Sequence, residues 1–250
     1  DAIEPLLDAI NLKPDLGAAH FTLGQTYATY ESFQDAIDEF KETLRLIPTY
    51  PEAYIELGNA YLKNRDYDLA IGAYQEAIEL NPGFFEAFTA IGVAYTESNR
   101  DKQAIEPLKN ALKINPDDSV AYQNLGIAYK NLGQHEEAID AFLELIRIRF
   151  KDPEAYFLLA SEYFVEDLYD DAIQRFKDAT RLDPDHIDAH FQLSQVYDET
   201  GDLKKSLSEF EKVTQIQPSN LEGHYRKGDI FQRLGDEKAA AQSFEQALKI

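Results

Sequence analysis

The feature that most constrains this chain is a repeat with a fixed step of 34 residues. Leu23, Gly24 and Tyr27 return as Leu57, Gly58 and Tyr61, as Ile91, Gly92 and Tyr95, and as Leu125, Gly126 and Tyr129. With altered letters the series continues through Leu159, Ala160 and Tyr163, Leu193, Ser194 and Tyr197, and Lys227, Gly228 and Phe231. A period of this length marks an array of stacked units, not a globule around one centre. Within 51–84, Tyr54, Leu57 and Tyr61 share one helical face, and Ala70, Ile71, Tyr74, Ala77 and Ile78 share another. Asn64-Arg65-Asp66 separates the two segments. Asn81-Pro82 ends the second, because proline disfavours helix in the residue before it and has no amide proton to donate. Each period therefore predicts a helical hairpin.

A glycine inside a helix costs about 1 kcal/mol relative to alanine, so the recurrence of Gly24, Gly58, Gly92, Gly126 and Gly228 calls for a packing reason. The second helix offers Ala2, Ala36, Ala70, Ala104, Ala138, Ala172, Ser206 and Ala240 in one register, which predicts small residues facing small ones across a close helix crossing. Phe40, Tyr74, Phe142, Phe176, Phe210 and Phe244, with Leu6 and Leu108 in the same register, then fill a flanking layer. One hairpin cannot cover that surface alone, so the units must stack. Pro5 and Pro107 fall inside second helices, each removing one backbone hydrogen bond, and are read as structural.

Small residues at the eighth and twentieth positions, aromatics at the fourth, eleventh and twenty-fourth, and Pro14, Pro48, Pro82, Pro116, Pro184 and Pro218 near the unit ends together resemble the tetratricopeptide repeat, over the whole chain. The resemblance implies an all-α fold, a right-handed superhelical solenoid of stacked helix-turn-helix hairpins. In this reading 1–16 is the second helix of a truncated repeat, 17–50, 51–84, 85–118, 119–152, 153–186 and 187–220 are complete repeats, and 221–250 is a last, incomplete one. The fourth position, often Trp in that family, is here His20, Tyr54, Phe88, Tyr122, Tyr156, His190 and His224. Solenoids need polar capping units, so Ala2, Leu6, Phe244 and Leu248 are expected to expose stacking surface and to favour end-to-end self-association.

Composition removes several function classes. A net charge of −22 argues against nucleic acid, which is gripped by positive surfaces that release counterions. Apolar runs such as Phe157 to Ala160 fall far short of the roughly 20 residues a bilayer span needs. With no cysteine there is no disulfide, thiolate metal site or cysteine nucleophile, and the compartment stays open. His186 and His190, with Asp183, Asp185 and Asp188 nearby, have a metal-like spacing. A helix boundary after Pro184 divides them, and His190 shares the register of His20 and His224, which favours a packing role. Asp117-Asp118 and Asp170-Asp171 sit at helix starts, where carboxylates complement the helix dipole. No P-loop, glycine-rich dinucleotide turn, nucleophile elbow or HExxH motif is present, so neither catalysis nor a cofactor is expected.

The resemblance further implies that first helices line a concave face, with ligand contacts at the second, fifth, ninth, twelfth and thirteenth positions. The fifth reads Phe21, Ile55, Thr89, Gln123, Phe157, Phe191 and Tyr225, and the ninth Gln25, Asn59, Val93, Ile127, Ser161, Gln195 and Asp229. Of the carboxylate clamp of the family's chaperone-binding members only Asn59 is matched, and of the asparagine ladder of relatives that regulate sugar-transferring enzymes only Asn124. Acids at the second position (Glu52, Glu86, Glu154, Asp188, Glu222) favour a basic ligand. The most acidic unit, 153–186, places Phe157, Phe164 and Val165 at groove positions, with Glu154, Glu162, Glu166 and Asp167 expected around them. The candidate partner-binding residues are thus Phe157, Ser161, Phe164, Val165, Phe191, Gln195, Gln123, Ile127, Glu154 and Asp188. Just before this unit, Leu143, Leu145, Ile146, Ile148 and Phe150 form an unusually apolar stretch, with Phe150 in place of the expected proline. It marks either a change of superhelix pitch or a second contact surface. The expected function is a scaffold for other proteins, binding an extended peptide or an amphipathic helix. Two alternatives are a regulatory or substrate-docking arm of a larger enzyme and a self-assembling architectural protein.

Overall fold

A computed structural model describes residues 2–250. Among the described residues there are fifteen α-helices and no strand. The chain divides into two compact units, Asp1–Leu132 and Gly133–Ile250, the division falling inside the segment 119–152 that was read as one repeat. The first unit holds α1 (Ile3–Leu12), α2 (Gly17–Thr29), α3 (Phe33–Leu46), α4 (Pro51–Lys63), α5 (Tyr67–Leu80), α6 (Phe85–Glu97), α7 (Asp101–Ile114) and α8 (Ser119–Asn131). The second holds α9 (His135–Ile148), α10 (Pro153–Val165), α11 (Tyr169–Leu182), α12 (Ile187–Glu199), α13 (Leu203–Ile216), α14 (Leu221–Arg233) and α15 (Glu237–Lys249). Within each unit consecutive helices pack together, and among described residues no helix is long and apolar enough to cross a membrane.

Each hairpin turn rests on one residue in the left-handed region. It is glycine at Gly133, Gly201 and Gly235 but Glu31, Arg65, Asn99 and Asp167 elsewhere, always at the fifteenth position of the period. Beyond it the chain bonds back across the helix end, as Asp66 N to Tyr61 O at 2.9 Å and Arg100 N to Tyr95 O at 2.8 Å. This geometry satisfies carbonyls that the helix terminus would otherwise leave open. Helix starts are fixed by Pro51 and Pro153 at the first turn and by carboxylate caps such as Asp118, which accepts from Val120 N and Ala121 N.

The rings of Phe40, Tyr74, Phe142, Phe176 and Phe210 are wholly buried. They correct the expected small-on-small crossing, because what presses on the recurrent glycine is the large residue. A Cβ built on Gly58 would lie 2.5 Å from the Tyr74 ring, one on Gly24 2.7 Å from Phe40, and one on Gly228 2.6 Å from Phe244. The glycine is thus a seat for the ring of its own hairpin, and the alanines line the crossing beside it. Pro5 lies in α1 and Pro107 inside α7. At Phe150 the helix ends keep their register, since α9 stops at Ile148 just as α7 stops at Ile114 and α11 at Leu182.

In four hairpins a polar atom of the fourth-position side chain ties the hairpin to the preceding loop. His20 Nε2 lies 3.1 Å from Pro14 O, His190 Nε2 3.0 Å from Pro184 O, and His224 Nε2 3.0 Å from Pro218 O. The Tyr156 hydroxyl donates to Phe150 O at 3.2 Å, so the position that lost proline keeps this bond. The other ring nitrogen of His20 meets Glu39 Oε2 at 2.6 Å, and that of His190 meets Glu209 Oε2 at 2.6 Å.

Candidate functional site

In the second unit the first helices of the hairpins are α10, α12 and α14, and they carry eight of the ten candidates. Phe157 and Phe191 are half-buried and lean on the core. The Phe157 ring lies 6.0 Å from that of Phe176 and 5.1 Å from that of His186, and Phe191 meets Phe210 edge-on at 5.5 Å. Tyr225 repeats the arrangement against Phe244 at 5.6 Å but is 54% exposed. The fifth position of this unit is therefore a row of three aromatics, each resting on the large ring of its own hairpin, buried for Phe176 and Phe210 and half-buried for Phe244.

Around the row the polar candidates divide. Ser161 is buried, its hydroxyl 2.9 Å from Phe157 O and 2.9 Å from Gln192 Oε1, so it links α10 to α12 more than it faces outward. Gln195 is half-buried, and Asp188 is exposed in the first turn of α12. Glu154 is exposed, 3.4 Å from His186 Nε2. Phe164 is half-buried, its ring 6.2 Å from Tyr169, while Val165 is 57% exposed with Leu168 beside it in sequence. Glu166 and Asp167 are exposed as expected, but Glu162 is wholly buried, with His135 Nδ1 2.8 Å from its Oε2. It takes part in the packing of α9 against α10 and does not rim the groove.

Gln123 and Ile127, the remaining candidates, lie half-buried on α8 in the first unit. That unit also holds a feature the candidates omit, a hollow of about 330 Å³ beside the first helices α4, α6 and α8, lined by Leu62, Phe85, Glu86, Thr89, Ala90, Val93, Asp118 and Val120. Its floor is polar at one point, where the Thr89 hydroxyl donates to Asp118, the cap of α8. The signal was present in sequence as Thr89, the shortest side chain at any fifth position. Asn59, the lone match to the carboxylate clamp, has its side-chain oxygen engaged by the Tyr74 hydroxyl at 2.9 Å. Burial raises the Tyr74 hydroxyl above its ordinary pKa, so it stays a donor.

The histidines of the metal-like spacing are separately engaged. His186 Nδ1 accepts from Ala189 N as the cap of α12, and His190 is buried between Glu209 and the Pro184 carbonyl. Burial pushes the Glu209 carboxyl up, but the hydrogen bonds from His190 and Lys212 outweigh it and hold the group below its ordinary value. Among the described residues no group of three or more His, Cys, Asp or Glu is placed to hold a metal ion.

Paired helices with a 34-residue step and a recurrent glycine seat for the large core residue define a helical repeat protein of the tetratricopeptide class. The chain belongs to the tetratricopeptide-repeat family: the model of the cilia and flagella-associated protein 70 C-terminal domain matches residues 9–226, and a tetratricopeptide-repeat model matches 221–250. No curated protein matches the sequence. Among solved structures, the C-terminal part of a tetratricopeptide repeat-containing protein from Cytophaga hutchinsonii is 18% identical, with 92% of this chain and 94% of that chain covered at a TM-score of 0.79. MamA is 27% identical over 64% of this chain and 93% of its own, with a TM-score of 0.62. YrrB, described as a tetratricopeptide-repeat protein with an unusual peptide-binding site, is 20% identical over 74% of this chain and 95% of its own, with a TM-score of 0.61.

Proposed function

We propose that this chain is a protein-interaction scaffold that holds an extended or helical segment of a partner along the first-helix faces of its units. The observation that carries the reading is the row of Phe157, Phe191 and Tyr225, with exposed Val165 and the exposed carboxylates of Glu154 and Asp188 beside it. Aromatic anchors within a polar rim are the arrangement on which binding energy concentrates at protein interfaces. Gln195 supplies amide hydrogen bonding next to the row, with Ser161 beneath it. Gln123, Ile127 and the hollow beside Thr89 supply the first unit's share. The acidic rim favours a basic segment, and the peptide-binding site of YrrB is a precedent on a related fold.

The test is selection of a random peptide library against the whole chain, followed by affinity measurement on Tyr225→Ala and Val165→Ser, two exposed positions whose loss leaves the core intact. Enriched basic peptides that lose about tenfold in affinity with Tyr225→Ala, and weaken as salt is raised, support the reading. Equal affinity for both variants and the parent would reject the row as the binding surface. Self-association through α15, where Leu248 is 87% exposed, is a second reading that sedimentation over a concentration series decides.

A further inference from the structure

The first unit carries a second cavity, where α5, α6 and α7 meet. It measures about 540 Å³, within the range of ligand-holding pockets, and is walled by Phe88, Tyr95, Ile78 and Pro107 with Glu79 and Glu106 at its polar edge. In three places the second helix sets a lysine over the tyrosine at this register, while Leu7 and Leu143 stand there before Tyr27 and Tyr163. Lys41 Nζ lies 5.5 Å from the centroid of Tyr61, Lys109 Nζ 5.5 Å from Tyr129, and Lys177 Nζ 5.8 Å from Tyr197. Each contact is a cation held by the negative face of an aromatic ring. One turn further along the same helices stand Arg45, Lys113 and Arg181.

In α5 the same two positions are Gln75 and Glu79, so the lysine is absent and the charge is inverted at the one tyrosine, Tyr95, that borders this cavity. Arg100 already lies over Tyr95, its Cζ 4.9 Å from the centroid, held there by Asp68. A ring with one cation still accepts another, because Tyr197 carries both Lys177 and Lys205. The present contact of Glu106 is a 3.7 Å approach of Lys113 between two well-exposed side chains, which an incoming ammonium displaces at little cost.

We propose that this cavity is a binding site for a primary alkylammonium, the lysine side chain of a partner protein, with the Tyr95 ring and the carboxylates of Glu79 and Glu106 taking the charge and Ile78, Phe88 and Pro107 taking the methylene stem. The partner's lysine fills the place that Lys41, Lys109 and Lys177 fill within the chain. The inference uses the first unit alone and does not depend on the groove reading.

Titration of the whole chain, labelled at its isoleucine methyls, with n-butylammonium and with 1-butanol as the uncharged counterpart tests it by NMR. The site predicts saturable shifts at Ile78 with n-butylammonium, and binding of 1-butanol weaker by about fivefold or more at low salt. Gln75→Lys, at an exposed position, is expected to restore the internal contact and abolish the shifts, and Glu79→Gln with Glu106→Gln to weaken them about three- to fivefold each. Equal response to 1-butanol, or full binding by Gln75→Lys, would overturn the proposal. Should Gln75→Lys fail to fold, the two carboxylate variants decide it, unchanged affinity in both being the contrary result.

Discussion

The segment 85–118 in the first unit and the segment 153–186 in the second share one backbone plan but present opposite surfaces. In the second, a fifth-position ring, Phe157, rests on a buried ring, Phe176, and the groove side is filled out to an aromatic ridge. In the first, Thr89 stands at the fifth position and lines a hollow of about 330 Å³ beside α6, with Leu108 at the place of the buried ring. The fifth-position side chain, not the course of the helices, is the plainest difference between ridge and hollow. The solenoid plan tolerates this because each unit needs only its neighbours to close its core.

The comparison breaks most visibly at the buried pair. Phe176→Ala removes a wholly buried ring and is expected to cost about 3–5 kcal/mol in urea unfolding, and Leu108→Ala less, about 2–3 kcal/mol. Equal losses would mean that the two segments are filled alike. Next, Gly58→Ala drives a methyl into the rigid Tyr74 ring and should cost about 1–3 kcal/mol. Gly92→Ala brings its methyl against Cγ of the fully buried Leu108 and should shift thermal unfolding by a similar amount.

Acidity offers a smaller handle. Because the folded-state pKa of Glu209 lies below its ordinary value of 4.5, its contribution is present above that value and is lost as pH falls through the folded pKa. Glu209→Gln should therefore flatten the decline in stability below about pH 4.5, measured by unfolding at a series of pH values. The smallest expected effect is at the turns. Arg65 sits at φ 66°, so Arg65→Gly should raise stability by about 0.5–1 kcal/mol in the same assay, whereas Gly201→Ala, at φ 78°, should lower it.

The hairpins, their register and their class were legible because period-34 recurrence survives substitution at any single position. Helix ends were equally legible, and Phe150 shows why. The αL turn and the bond from the fourth-position side chain to the loop carbonyl hold that register without proline. Three things were not legible. Which residue presses on Gly58 depends on the crossing geometry, which spacing along one helix does not carry. Glu162 reads as a groove acid by position, yet its burial depends on His135 one helix earlier. The hollows by α6 arise from several modest residues coinciding in space, and only Thr89 and Gln75 hint at them in one dimension.

The central claim is that partner segments lie along the first-helix faces. It is tested most directly by placing a photo-crosslinking side chain at Val165 on α10, at Val93 on α6 or at Ser208 on α13, and irradiating each with a selected peptide bound. The account predicts crosslinked peptide from Val165 or Val93 and none from Ser208. Crosslinking from Ser208 alone would contradict it.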